Sequence, residues 1–343
     1  MLHDLRDNPS VTHAFIIDHA LREGSAEEVA AAADYARSFG YVVQTDRWEH
    51  EGVSSAIQAR AREYRYSALG RLCRKAGINH LITAHSADDQ AETLMMRLDR
   101  QTGWRGLAGM PEEAYAPIWP ALADVTLHRP YLSVSRRELR EYNEVRGLKF
   151  IDDPSNENRN FSRVRARQTL ATDQELRSDL LGQQVEMRTK LLEERRHQKI
   201  WLEEHANIHT QGFIETDAVP SAELLSYILN AVSGRGDPID RAKRLRLHND
   251  MTTPEFRAAT LGGAWILAEK QNAPHGFVFL RDRVAVTGRS NDCPAEPIDL
   301  ELNVNTPWDG RFLCRAKQGD VRVEYASGIL QKLRQASEFK LLF

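Results

Sequence analysis

Cysteine is scarce in this chain. There are three in 343 residues, Cys73, Cys293 and Cys314, far apart and in no C-x-x-C spacing. That argues against a disulfide framework, a thiolate zinc site and a paired-cysteine redox centre, and it fits a reducing cytosol. Long apolar runs are missing as well. No window approaches the roughly 18 consecutive apolar residues of a membrane span. The opening MLHDLRDNPS has no apolar signal core. No membrane partner and no export are expected, so the expected location is cytoplasmic. Glycine-rich phosphate loops are absent: S-G-G-x-D-S, G-x-x-x-x-G-K-[ST] and G-x-G-x-x-G do not occur. Excess charge is lacking too. The formal net charge is −3, so a nucleic-acid partner would have to be held by local basic patches. There is no internal repeat at solenoid periods and no low-complexity tract.

What is present describes a globular chain long enough for two or three domains. The first half alternates. Val11–Asp18 reads as a buried strand and Ser25–Phe39 as an alanine-rich helix ended by Gly40. Tyr41–Asp46 is a second strand, Ser54–Lys75 a long helix stopped by Gly77, His80–Ala84 a third strand, and Gln90–Arg100 a further helix. Strands alternating with helices predict an α/β fold with right-handed crossovers and a mostly parallel sheet. Ligands of such sheets sit beyond the carboxyl ends of the strands, where Asp18-His19 and His85 through Glu92 fall. After about Arg167 the pattern becomes helical, with Asp173–Asn207, Ser221–Val232 and Asp240–Asp250. From Gly276 on, short strands are expected in GFVFLRDRVAVTG, IDLELNV and VRVEYA. The predicted division is residues 1–167, a helical domain at 168–275 and a small partly β tail at 276–343. The apolar EFKLLF at the chain end is explained either by docking or by an incomplete tail.

Three constellations could carry chemistry. In HLITAHSADDQAETLMMRLDR, a histidine ends an apolar run and three acids follow. At about 100° per residue, Ala91, Leu94, Met95 and Leu98 share a core face, and Asp88, Asp89 and Glu92 fall within roughly a 100° arc beside it. Acids in a first turn also complement the helix dipole, and for the cluster alone that is the weightier reading. Its place at a strand's carboxyl end shifts the balance toward a site for Mg²⁺ or a substrate ammonium. In AIQARAREYRYSAL, Arg60, Arg62 and Arg65 crowd one helix with Tyr64 and Tyr66, suited equally to a solvated face or to phosphate contact. In FIDDPSNENRNFSRVRAR, Asp152 and Asp153 precede a turn, then four arginines flank Phe161. This is a polar linker by composition, or an RNA-contacting segment. A weaker basic run spans Arg235–His248.

Six motifs in this order, IDHALREGSAEEV, ARAREYRY, TAHSADDQAETLMMRL, GWRGLAGM, RPYLSVSRREL and DDPSNENRNFSRVRAR, resemble the tRNA(Ile)-lysidine synthetase family, densely from Val11 to Arg167. WDGRF (Trp308–Phe312) is similar as well. The resemblance implies an adenine nucleotide alpha hydrolase-like domain of the N-type ATP pyrophosphatase group, using ATP and Mg²⁺. It implies ligation of free lysine to C2 of the wobble cytidine in the CAU anticodon of tRNA(Ile), through an adenylated tRNA, and self-association as a homodimer. By motif position, Asp88, Asp89 and Glu92 would handle lysine and metal, with Asp89 the metal ligand. Arg62 would serve phosphates or the adenylated intermediate, and His85 would orient the nucleotide. His19, Gly103 and Gly106 would lie with Arg62 on the nucleotide side. Arg129, Asp153 and Asn156 would shape the edge of the site, and Arg163 and Arg165 would contact substrate.

The family opens with a strand and an S-G-G-x-D-S loop, so the expectation is a domain without its first βα unit. Three explanations fit, the first preferred: a start inside a longer frame, a short form that binds tRNA without ATP chemistry, or a separate polypeptide that supplies the unit. Smaller departures are Ala20 where the family usually has glycine and Gln101 in the usual R-G-S-G stretch. Thiolating relatives use paired cysteines, which this chain lacks. Relatives acting on small molecules would not need the arginine-rich stretch.

Overall fold

The computed structural model describes residues 12–22, 24–50, 57–148, 150, 162–236, 238–268, 276–282, 298–319, 321–323 and 340–341. The chain begins with β1 (His13–Asp18), α1 (Ser25–Ser38) and β2 (Val42–Arg47). β1 and β2 pair in parallel, from His13 opposite Val42 to Asp18 opposite Arg47. α2 (Ile57–Ala76) leads through Gly77, whose φ of 66° only glycine adopts readily, to β3 (His80–Ile82). α3 (Ala87–Asp99) and the single turn α4 (Trp104–Leu107) follow, then β4 (Glu113–Tyr115) and β5 (Thr126–His128). β3 runs parallel to β5 and β4 antiparallel to it. The parallel pairing agrees with the sequence reading. The antiparallel β4 and the two hydrogen-bonded groups, β1-β2 and β3-β5-β4, were not foreseen. One apolar core serves both: Tyr66, Leu69 and Cys73 of α2 pack with Leu81, Leu127, Phe15 and Ile17.

α5 (Arg136–Val145), α6 (Ser162–Thr172) and α7 (Gln174–His205) come next. α7 spans about 48 Å at 1.5 Å per residue. Its first half packs on α3 and α6, where Ala91, Leu94, Leu170 and Leu180 are buried together. Asp173 caps its N-terminus by accepting from the Leu176 N–H at 2.8 Å.

Beyond α7 the sequence predicts helices, and α8 (Ala222–Ser233) and α9 (Arg241–Met251) are there, capped by Ser221 and Asp240. The same region also holds β6 (Ala206–His209), β7 (Phe213–Thr216), β8 (Ala258–Leu261) and β9 (Ala264–Ala268). They form a five-stranded antiparallel sheet whose central strand is β10 (Phe277–Arg281). The boundary expected at 275/276 therefore falls inside a sheet. Four-residue strands such as ANIH and AATL are too short for a period-two pattern to stand out. Ile228, Leu229 and Val232 of α8 bury against Ile266 and Phe279 of that sheet.

The remaining strands are β11 (Ile298–Leu300), β12 (Thr306–Trp308), β13 (Phe312–Cys314), β14 (Val321–Val323) and β15 (Lys340–Leu341). WDGRF turns between β12 and β13. Its Gly310 carbonyl accepts from the Trp119 indole, and a Cβ on Gly310 would lie 2.3 Å from the Gly234 carbonyl oxygen. Asp309 pairs with Arg281 and Arg311. The motif is thus a packing junction between the α/β part, the end of α8 and the terminal strands.

Candidate active site: carboxylates and arginines beyond β3

The site begins with a helix cap. Ser86 is the N-cap of α3; its hydroxyl accepts from the Asp89 N–H, and the Asp89 carboxylate accepts from the Ser86 N–H at 2.8 Å. This reciprocal box fixes the entry of α3 and orients Asp89. Gln90, one residue on, is buried, with its amide clamped to both backbone groups of Met110 at 2.9 and 2.8 Å. Gly109, at φ 69°, passes so close that a Cβ would lie 2.9 Å from the Gln90 amide. GWRGLAGM therefore packs as a cradle on the far side of α3.

The three acids do converge, and arginines draw them together. Glu92 is only 1% exposed. It accepts from Arg163 Nε and Arg167 Nε, both at 2.8 Å, and from Arg136 Nη2 at 3.4 Å. Asp89 accepts from Arg163 Nη2 at 2.9 Å and Arg136 Nη2 at 3.3 Å. Asp88 accepts from the Arg136 N–H at 2.7 Å and lies 3.4 Å from Arg177 Nη2. Arg163 and Arg167 are one turn apart on α6 and so present both guanidinium groups to one carboxylate. Burial alone would raise the Asp89 carboxyl; the two Ser86 hydrogen bonds, with Arg163 and Arg136, more than offset it and hold it below the ordinary value.

Facing the acids is a basic wall with two histidines. His85 shares a hydrogen bond with Thr83 Oγ1 at 2.8 Å. Burial pushes its imidazole down to about 4, Asp89 opposes this, and Arg129, Arg163 and Arg65 add to it. His19, just beyond β1, is also lowered, by burial and then by Arg65. Arg129 is buried, with Nη1 donating to the Pro111 carbonyl at 2.8 Å. Arg62 and Arg65 lie over the Tyr66 ring at 4.9 and 5.1 Å.

The His85 shift has a definite acid consequence. The unfolded imidazole takes a proton near 6.5 and the folded one near 4, so the unfolded state binds more protons between these values. The contribution is fully present above pH 6.5 and is lost as pH falls toward 4. It amounts to about 1–3 kcal/mol after allowance for partial solvent access. Urea midpoints measured from pH 7 to 4 are expected to fall, and to fall less in His85→Gln, which keeps a partner for Thr83.

The loop after β1 carries strain. Ala20 has φ 49°, a region that favours glycine, while Asp18 accepts from its N–H at 2.8 Å. Ala20→Gly is expected to stabilise the fold by about 0.5–1 kcal/mol, the relief of strain exceeding the added chain entropy. An unchanged thermal midpoint would count against this. Gln101 likewise stands in the left-handed region, at φ 51°.

The structure brings together Asp88, Asp89, Glu92 and Arg163. His19, Arg62, His85 and Arg129 are linked to the basic side through Arg65 and Arg62. Gly106 accepts from Arg97 Nη1 at 2.6 Å, and Gly103 caps α4. Arg97 is itself lowered by burial and by Arg62, which ties that loop to the same side. Arg165 is exposed on α6, about 200° around the helix from Arg163. Asp153 and Asn156 lie outside the described residues. The sequence constellations point to Arg167 only as one of the four arginines around Phe161, and they do not point to Arg136 or Arg177. The S-R-R-E capping box that starts α5 at Ser135 was a usable sign for Arg136.

A phosphate-bearing ligand fits the basic side, where His19 Nδ1 and Arg129 Nε are buried without a hydrogen-bond partner among the described residues. A metal ion does not fit the acids as arranged. Asp88, Asp89 and Glu92 are all engaged by N–H donors, and no group of three His, Cys, Asp or Glu among the described residues has metal-binding geometry.

A cluster of charged groups beyond the carboxyl end of a parallel strand marks a ligand-binding protein of the α/β class. A PP-loop domain, in an ATP-binding family, matches residues 1–174. The tRNA(Ile)-lysidine synthase of Hyphomonas neptunium is 33% identical over 266 residues, covering 76% of this chain and 72% of its own. That of Novosphingobium aromaticivorans is 44% identical over 160 residues, 47% of this chain and 48% of the relative. That of Wolbachia pipientis wMel is 26% identical over 323 residues, covering 89% and 70%. The chain belongs to the tRNA(Ile)-lysidine synthase family of PP-loop proteins.

Proposed function

We propose that the chain uses ATP to join free lysine to C2 of the wobble cytidine in the CAU anticodon of tRNA(Ile), through an adenylated tRNA. The observation that supports this most is the Asp88–Asp89–Glu92 cluster beyond β3, in a chain of this family. A cytosine C2 carbonyl is a poor electrophile, so its oxygen must first become a good leaving group. The lysine ε-amine then forms the C2–N bond, AMP departs with the C2 oxygen, and the amine sheds a proton.

In this reading Arg62, Arg65 and Arg129 receive phosphate charge. Asp89 and Glu92 receive the lysine ammonium in place of Arg163, whose Nη2 and Nε now sit on both carboxylates. Displacing Arg163 removes one of the influences that hold Asp89 low, so the carboxylate becomes a better acceptor for the departing proton. Neutral His85 orients the nucleotide without adding charge. Asp89 could ligate a magnesium ion only by giving up Arg163 or Arg136. Residues 1–167 would carry this chemistry, and the helices and five-stranded sheet that follow would contact tRNA. The cytoplasm, where tRNA, ATP and lysine meet, is the proposed location, with a homodimer as the proposed assembly.

The test is incorporation of labelled lysine into a tRNA(Ile) transcript by the purified chain. It is expected only when ATP is present and the wobble base is cytidine. Tight tRNA binding with no incorporation would overturn the ligase reading and leave a tRNA-binding module. That alternative has its own support in the lack of an S-G-G-x-D-S loop anywhere in these 343 residues.

A further inference from the structure

A second cluster lies beyond the carboxyl ends of β1 and β2, apart from the carboxylate cluster. The Trp48 N–H donates to the Asp18 carbonyl at 2.8 Å, so the chain leaving β2 is fastened to the end of β1. There Trp48 stacks on Tyr64 of α2, with centroids 5.8 Å apart and planes at 23°, and His50 lies against Trp48 at 4.4 Å. Tyr64 is locked in turn. Its hydroxyl donates to Asp46 and lies 2.7 Å from the Arg47 carbonyl oxygen, and the Arg71 guanidinium, paired with Asp46 at 2.9 Å, sits 5.7 Å from its ring centroid. The result is a rigid column, Arg71–Tyr64–Trp48, at the edge of an open cleft of about 450 Å³ lined also by Glu49, His50, Arg60 and Glu63. His50 Nε2 is buried and has no hydrogen-bond partner among the described residues.

We infer that this cleft binds an unstacked nucleobase of the RNA substrate, with Trp48 as the stacking platform. This rests on the tRNA reading above. A π-face held rigid in a column loses little freedom when a further flat ring stacks on it. Glu49 and Glu63 disfavour a phosphate in the cleft but can accept from the exocyclic amine of a base, and Arg60 can meet the backbone beside it. A caged cation is disfavoured by Arg60 and by ring planes that lie nearly parallel rather than crossed. The openness of the cleft, with Arg60, Glu49 and Glu63 all exposed, suits a base on a long chain better than an enclosed mononucleotide.

The experiment measures binding of tRNA(Ile), a short unstructured RNA and ATP by the full chain, by Trp48→Ala, by Trp48→Phe and by the exposed-residue variant Arg60→Ala. Trp48→Ala is expected to weaken both RNAs by about 5- to 150-fold and leave ATP unchanged. Trp48→Phe should keep most of the affinity, and Arg60→Ala should weaken RNA at low salt. Unaltered tRNA affinity in folded Trp48→Ala overturns the inference, as does a loss confined to ATP or competition by free lysine. If Trp48→Ala does not fold, an Arg60→Ala variant that binds both RNAs as the parent does at low salt overturns it. A parent chain that binds no tRNA would overturn the tRNA reading itself, which is a distinct result.

Discussion

Glu92→Gln is expected to lower the stability of the α/β part by about 3 kcal/mol. Glu92 is almost fully buried, and three guanidinium groups, from Arg136, Arg163 and Arg167, converge on its two oxygens. Glutamine keeps the volume but presents a donor amide where an anion stood, so positive charge is left without its counterion. The arginines are about one-third exposed and can partly turn to water, which places the loss at the low end for a broken buried pair. For a unit of this size the loss corresponds to a fall of about 6–12 °C in thermal midpoint. The double variant Glu92→Gln/Arg167→Gln should recover part of it, because the pair interacts directly. A midpoint shift below about 1 °C would show that Glu92 does not hold α6 on α3.

Asp89→Asn separates folding from chemistry. The asparagine carbonyl can still accept from Ser86, so the cap of α3 is kept and the midpoint should fall less than in Glu92→Gln, although the pairing with Arg163 and Arg136 is weakened. The charge that faces Arg163 and, in the proposed reaction, the lysine ammonium is gone. Loss of a charged hydrogen bond in a partly buried site is worth about 2–4 kcal/mol. kcat/KM for lysine should therefore fall by about 30- to 1000-fold, while tRNA affinity stays within about twofold of the parent. Full lysine incorporation by Asp89→Asn would remove the carboxylate from the mechanism. Equal losses in tRNA binding and incorporation would instead indicate that Asp89 acts by seating α6.

Much of this was legible along the chain. The alternation of strands and helices, the helix starts near Asp173, Ser221 and Asp240, and the glycine stops at Gly40 and Gly77 are local signals, and each appears where the pattern placed it. The grouping of Asp88, Asp89 and Glu92 on one arc follows from helical period alone. The short strands from Glu113 to Ala268 were not legible, because pairing across the sheet rather than a run of residues defines them. WDGRF was visible as a motif, but its part as a junction depends on Trp119, Gly234 and Arg281, all at least 28 residues away.

The division is clearest at Glu92 itself. Sequence alone determined that an acid stands there, on the flank of an amphipathic helix that opens at a strand's carboxyl end. Only the tertiary structure decided that it is buried, and that Arg163 and Arg167 from 71 and 75 residues further on share it with Arg136. Period and propensity act over a turn or two of helix, whereas a buried charge is tolerable only where distant chain segments bring its counterions to it.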